Sequence, residues 1–346
     1  MAQDYRVALI AIASNEGAYL AQFVFHHLRM GFAPIILITN NSEDDTAAMA
    51  ARMAERLPDV HHLDGDPLRE VFPLLDFQWR AYELAIYYIQ SNRLQPDYVM
   101  ALDVDEYWVP LTDDCSVSEY LNRHKGYDTY IFNWIIPFED SANFSHSIVS
   151  EIKGVTLRPA KTIWRYGVRI KRANAHNVIS EEIKREFVVS GATLFETRGR
   201  TVDHPERLGD GTVIHQMFRG MTEYVAMLLR GRPTDAMLFK TSTRDGYRSS
   251  FRNRKLIEVR IPVCVTKNWA LEFGEWVNKI GLAEIIIASR LQVVARAERG
   301  LALYASLSEE ERAPYANAFR FVDFDAVRAE IAELLADPDG RIARIP

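Results

Sequence analysis

Apolar residues fall along the first hundred positions in short runs separated by longer amphipathic stretches. Arg6 to Ala13, Pro34 to Thr39, Val60 to Leu63 and Tyr98 to Leu102 read as strands, the first and fourth as buried ones. Between them, Ala18 to Met30, Thr46 to Leu57 and Leu74 to Gln90 carry helical spacing. Ser14 or Asn15 is placed to cap the first helix, Glu16 suits its positive end, and Gly31 ends it. Alternation of strand and helix with short connections predicts a parallel sheet with helices on both faces.

Beyond Cys115 the pattern changes. Ser116 to Arg123 reads as a short helix capped by Ser116, and Asp128 to Ile136 as a strand rich in β-branched and aromatic residues. Val155 to Leu157, Thr162 to Trp164 and Glu186 to Val189 read as short separate strands among loops. A helix is expected near Thr222. From Trp269 onward the chain reads as helical, with wide apolar stripes at 282–303 and 321–335, the first expected to pack against the rest of the protein.

The candidate chemistry lies where the fourth strand ends. Asp103, Asp105 and Glu106 follow an apolar run, and open α/β sheets bind ligands at the carboxyl ends of their strands. Carboxylates crowded there repel one another, and a divalent cation relieves this; Mg²⁺ or Mn²⁺ suits oxygen ligands. Asp103 and Asp105 are placed to reach one ion or its bound phosphates, with Asp105 expected to touch the metal directly. Glu106 is expected to support the bend between them. The first strand-to-helix turn lacks G-x-G-x-x-G, and no G-x-x-x-x-G-K-[ST] occurs, which counts against a dinucleotide site and a phosphate-cradling NTPase loop.

Composition narrows the class. The chain has 346 residues, 48% hydrophobic and 25% charged, with a formal net charge of -6, an ordinary globular balance that disfavours nucleic acid as a partner. Two cysteines, Cys115 and Cys264, make a disulfide framework unexpected and fit a reducing compartment. The first residues lack the basic-then-apolar order of a signal peptide, and no run is long enough to span a bilayer. The expectation is a cytoplasmic protein, at most peripheral to the inner face of a membrane.

Three ordered segments carry a resemblance. Ala13-Ser14-Asn15-Glu16-Gly17-Ala18-Tyr19-Leu20, then His26-His27-Leu28-Arg29-Met30-Gly31-Phe32, then Ile38-Thr39-Asn40-Asn41-Ser42-Glu43-Asp44-Asp45-Thr46 resemble the opening of family-2-like glycosyltransferases, in the branch related to family 92. Asp103-Val104-Asp105-Glu106-Tyr107 is similar to that family's metal motif. Lys161-Thr162-Ile163-Trp164-Arg165 with His176, and His215 with Tyr224, resemble its later segments. The likeness covers about residues 6 to 231. Asn40-Asn41 departs from the Asp-Asn or Asp-Asp of many relatives.

The resemblance implies a GT-A-type nucleotide-binding α/β sheet, mostly parallel and mixed at one edge, flanked by helices. It would span residues 1–231, with a mostly helical C-terminal extension over 232–346. It implies transfer of a sugar from a nucleotide-diphosphate donor, a UDP-sugar favoured, to a glycan or other hydroxyl acceptor, by inversion, in polysaccharide biosynthesis. Ala13, Asn15, Glu16, Asn40, Asn41, Asp44 and Asp103 would meet the nucleotide. Asp103 and Asp105 would hold Mn²⁺ or Mg²⁺, with His176 or His215 as a further ligand. Asp140, or alternatively Glu139, would take the acceptor proton. Lys161, Arg165 and Arg169 are candidates for holding phosphates, and Trp108, Trp134 and Trp164 for stacking on a sugar, although each tryptophan also suits a core. His27 is expected to be structural. A nucleotidyltransferase, or a non-catalytic sugar-nucleotide or glycan binder on the same scaffold, are the competing readings. The first normally carries a basic Gly-rich loop, which Ser14-Asn15-Glu16-Gly17 is not.

Overall fold

A computed structural model describes residues 3–72, 74–138, 142–173, 176, 178–191, 194–196, 200–202, 206–230, 237–241, 245–249, 254–337, 340 and 342–345. The first part alternates as β1 (Val7–Ala13), α1 (Leu20–Arg29), β2 (Phe32–Thr39), α2 (Thr46–Arg56), β3 (Val60–Asp64), α3 (Asp66–Val71), α4 (Leu74–Ser91) and β4 (Tyr98–Ala101). Next come β5 (Glu106–Pro110), α5 (Val117–Arg123), β6 (Thr129–Pro137) and β7 (Glu151–Arg165). Five short strands follow, β8 (Arg172–Ala173), β9 (Val178–Ile179), β10 (Glu186–Val188), β11 (Leu194–Glu196) and β12 (Arg200–Val202). Then β13 (Gly211–His215) and α6 (Met221–Arg230) lead to β14 (Ile257–Arg260), α7 (Val263–Thr266), α8 (Trp269–Ile280), α9 (Ala283–Ser306), α10 (Glu309–Arg312), α11 (Ala316–Phe319) and α12 (Phe324–Ala336).

The sheet runs β3-β2-β1-β4-β7-β6-β13-β5. Its first four strands are parallel. Beyond them it is mixed, with β7 antiparallel to both β4 and β6, and β13 parallel to β6 but antiparallel to β5. The α/β architecture with a helical C-terminal region matches the expected class and is consistent with a GT-A-like fold. Period-2 alternation explains how β1 is buried twice. Val7, Leu9 and Ala11 join one core with Phe23, Val24 and Phe273, while Ala8 and Ile10 join another with Phe77, Ala81 and Ala85 of α4.

Two strands differ from the sequence reading. The short strands expected around 155 and 163 are one long strand, β7. Pairing with β6 jumps from Asn133↔Ala160 to Trp134↔Leu157, so Arg158 and Pro159 bulge and the ladder continues past a proline. Glu106 to Pro110, to which the apolar pattern assigned no element, is strand β5, fully buried and paired with β13. The chain after residue 231 returns to the sheet, where β14 pairs with β7.

The long helix α9 packs against α6 through Val293, Val294, Ala297 and Leu301, as its apolar stripe suggested. No helix among the described residues is long and apolar enough to cross a membrane.

Candidate functional site

The parallel pairing of β1 with β2 and β4 sets their carboxyl ends side by side. At the end of β4 the chain turns sharply into β5, and Glu106 closes the turn. Its Oε2 accepts from the Asp103 backbone N–H at 2.8 Å, as expected of a residue supporting the bend. The same oxygen lies 2.6 Å from Lys161 Nζ, which is also 3.2 Å from Asp103 Oδ2. The Lys161 and Glu106 side chains are 0% exposed, whereas Asp103 is 45% exposed and Asp105 21%. One ammonium is therefore buried beneath the motif, and the two aspartates are the carboxylates that a ligand can reach.

Charges divide accordingly. Burial disfavours the ionised form of Asp103, but Lys161, with smaller contributions from His176 and His215, holds the carboxyl below its ordinary value. Burial likewise opposes the charge on Lys161, and Asp103 with Glu106 overcomes it, so the lysine stays protonated. Lys161 is thus committed to carboxylates, which corrects its reading as a phosphate holder. Of the other two basic candidates, Arg165 pairs with Asp128 at 3.1 Å, and the backbone N–H of Arg169 donates to Glu182.

Both histidine candidates come to this strand end. His215, the last residue of β13, has Nε2 3.4 Å from Asp105 Oδ2. His176 has Nδ1 3.2 Å from the Ala160 carbonyl oxygen. The ring of Trp134 touches both, with centroids at 4.6 Å from His215 and 5.1 Å from His176. Burial, then the nearby Lys161 charge, pushes His176 down to about 4, so it is a neutral imidazole at ordinary pH. Among the described residues His215 Nδ1 and Glu106 Oε1 are buried without a hydrogen-bond partner. Trp108, Trp134 and Trp164 are all buried.

Among the described residues no group of three His, Cys, Asp or Glu is arranged to hold a metal. Asp105 and His215 nevertheless offer an oxygen and a nitrogen that converge on one partly open face. A hard cation that completes its shell with water and diphosphate oxygens suits two protein donors of this kind.

The proposed nucleotide-facing residues gather at the ends of β1 and β2, locked into one network. The Ala13 carbonyl accepts from the Asn40 backbone and side chain at 3.0 and 3.4 Å. Asn15 has φ 56° and its Oδ1 accepts from Glu43 N–H and from Arg296 of α9. It therefore does not cap α1, whose cap residue is Tyr19. A left-handed backbone turns Asn15 toward the second loop instead. The Glu16 backbone N–H donates to Thr46 Oγ1 at 2.8 Å, and its carboxylate pairs with Arg219 at 3.0 Å. Asn41, at φ 41°, donates its N–H to Asp66 Oδ1. Asp44 accepts from Gly17 N–H at 3.1 Å and from Thr46. A Cβ at Gly17 would collide with Ser289 of α9, so the loop's close approach requires glycine.

Arg219 was not anticipated from the sequence. It stacks over the Tyr19 ring at 3.4 Å while pairing with Glu16, beside a shallow cleft lined by Tyr19, Gln22, Tyr107, Ser147, Gln216 and Glu223. Nothing local in Phe218-Arg219-Gly220 signals a partner so distant in the chain. For Lys161 a signal existed: a lone cation inside an apolar strand needs a carboxylate, and the motif at 103–106 supplies one. Asp140 and Glu139 lie outside the described residues.

No protein-family model matches this chain, and no curated protein matches it. Among solved structures it is similar to the crystal structure of S. aureus TarS, with 13% identity over 95% of this chain and 55% of that chain, and a TM-score of 0.29. The chain spans about half the length of that neighbour. At this level the likeness assigns no role to any residue.

Proposed function

We propose that the chain is a glycosyltransferase that moves a sugar from a nucleotide-diphosphate donor to a hydroxyl acceptor. The observation that carries this reading is the strand-end cluster: two reachable aspartates over a buried lysine, with His215 beside Asp105. In the proposal Asp105 and His215 hold Mn²⁺ or Mg²⁺, with Asp103 facing the ribose. The cation's contribution is to offset charge on the departing diphosphate. Lys161 and Glu106 keep Asp103 in its bend, and the loops carrying Asn15, Glu16, Asn40 and Asn41 flank the base. Asp140, with Glu139 as the alternative, takes the acceptor proton in an inverting transfer. A UDP-sugar and a glycan acceptor remain the favoured substrates, and a cytoplasmic site at most peripheral to a membrane the favoured location.

Calorimetry with UDP, GDP and CDP, with and without Mn²⁺, tests the reading. Nucleoside diphosphate binding that requires the cation is the expected result. Binding indifferent to metal, or none, overturns it.

A further inference from the structure

The only two cysteines of the chain, far apart in sequence, meet in the fold. Cys115 is exposed and stands just before the Ser116 cap of α5. Cys264 is half-buried in α7. Arg29 of α1 fixes α7 in place: its guanidinium donates to the carbonyls of Cys264, Val265 and Lys267 and to Glu272, at 2.6–3.1 Å. Held this way, Cys264 Sγ donates at 3.5 Å to the carbonyl oxygen of Asp114, whose carbon is bonded to the Cys115 nitrogen. Cys115 Sγ donates at 3.5 Å to the preceding carbonyl, that of Asp113. The two sulfurs thus sit on successive carbonyls of one turn, those of Asp113 and Asp114.

We propose that Cys115 and Cys264 are a site of intramolecular disulfide formation, closed by exchange with a small oxidised thiol such as glutathione disulfide. The Cys115 thiolate attacks glutathione disulfide, breaking its S–S bond and releasing one glutathione. Deprotonated Cys264 then attacks the Cys115 sulfur of the mixed disulfide, releasing the second glutathione. The protein loses two protons and two electrons, and glutathione disulfide takes up both to become two thiols. The new bond ties α7 to the loop entering α5. The neighbouring thiol, then burial and the nearby acids Glu119 and Asp114, push Cys115 up to about 12. The exchange is therefore slow at neutral pH and quickens as pH rises.

The test is mass mapping of the folded full-length chain after incubation with glutathione disulfide, followed by alkylation and digestion without reductant. The expected product has lost two hydrogens, carries no glutathione, resists alkylation at both positions and yields a peptide joining 115 to 264. Its melting temperature exceeds that of the reduced chain, because the link constrains the unfolded state. Cys264→Ser should stop at a glutathione adduct on Cys115. Cys115→Ala should form no internal link. A lasting adduct on Cys115 in the wild-type chain, a dimer joined through Cys115, or two freely alkylated thiols after prolonged exposure would overturn the proposal.

Discussion

Strand β5 has a buried titratable cluster at its start and another beneath its middle, and they solve burial in opposite ways. At its start, Glu106 and Asp103 share Lys161, so charge is buried against charge. Beneath its middle, His26 and His27 of α1 are 0% exposed and neutral, walled by Phe23, Phe32 and Tyr107. His26 Nε2 meets the Trp108 carbonyl at 2.8 Å, and His27 Nδ1 meets that of Phe23 at 2.8 Å. The histidines turn inward, whereas the carboxylate cluster opens through Asp103 and Asp105. The carboxylate cluster keeps a partly exposed face, and the histidine pair is part of the core, as expected for His27.

The sharpest way to break this contrast is Asp105→Ala. It should lower transfer by on the order of 10³-fold while far-UV circular dichroism and melting stay near wild type. Retained activity would remove Asp105 from the site. Next, Lys161→Met leaves Glu106 and Asp103 without their shared cation and should cost about 3–5 kcal/mol in urea unfolding. Adding Glu106→Gln should recover part of that loss, and an unchanged double variant would show that the pair is not coupled.

The histidine side is tested by acid. Burial pushes His26 down to about 4, and drives His27 well below its ordinary value. Between the ordinary value near 6.5 and about 4, the unfolded chain binds a proton at position 26 that the folded chain refuses. Stability from His26 is thus full above pH 6.5 and falls by about 3 kcal/mol as pH drops to about 4. Urea midpoints across that range check it, and a flat profile would show His26 charged in the fold. Smallest of the four, His27→Phe removes two backbone hydrogen bonds and should cost about 1–2 kcal/mol with transfer unchanged.

Legibility followed the range of the interactions. The strands β1, β2 and β4 and the helix α4 were readable because their apolar spacing is local. The Asp-x-Asp cluster was readable because a buried strand ends in it. Lys161 signalled only that it needs a carboxylate; which one was hidden, because Asp103 and Lys161 are 58 residues apart and the β4–β7 pairing joins them. The long β7 was hidden by Arg158 and Pro159, which break the pattern while the bulge preserves the ladder. The Arg219–Glu16 pair, 203 residues apart, left no trace in either local sequence. Asn15 was readable as functional or capping, and the left-handed backbone that links it to α9 follows from neither pattern.

The position of β13 has a consequence for assembly in time. Among the described residues β5 pairs only with β13, which lies between it and β6. A chain emerging from synthesis therefore carries the aspartates long before the strand that fastens the segment behind them. The Asp105–His215 contact is the junction of an early and a late part of the polypeptide, so it forms only after residue 215 has entered the sheet. Non-local closure of this kind slows folding. It also gives the nascent protein an interval during which the acidic turn exists without its imidazole.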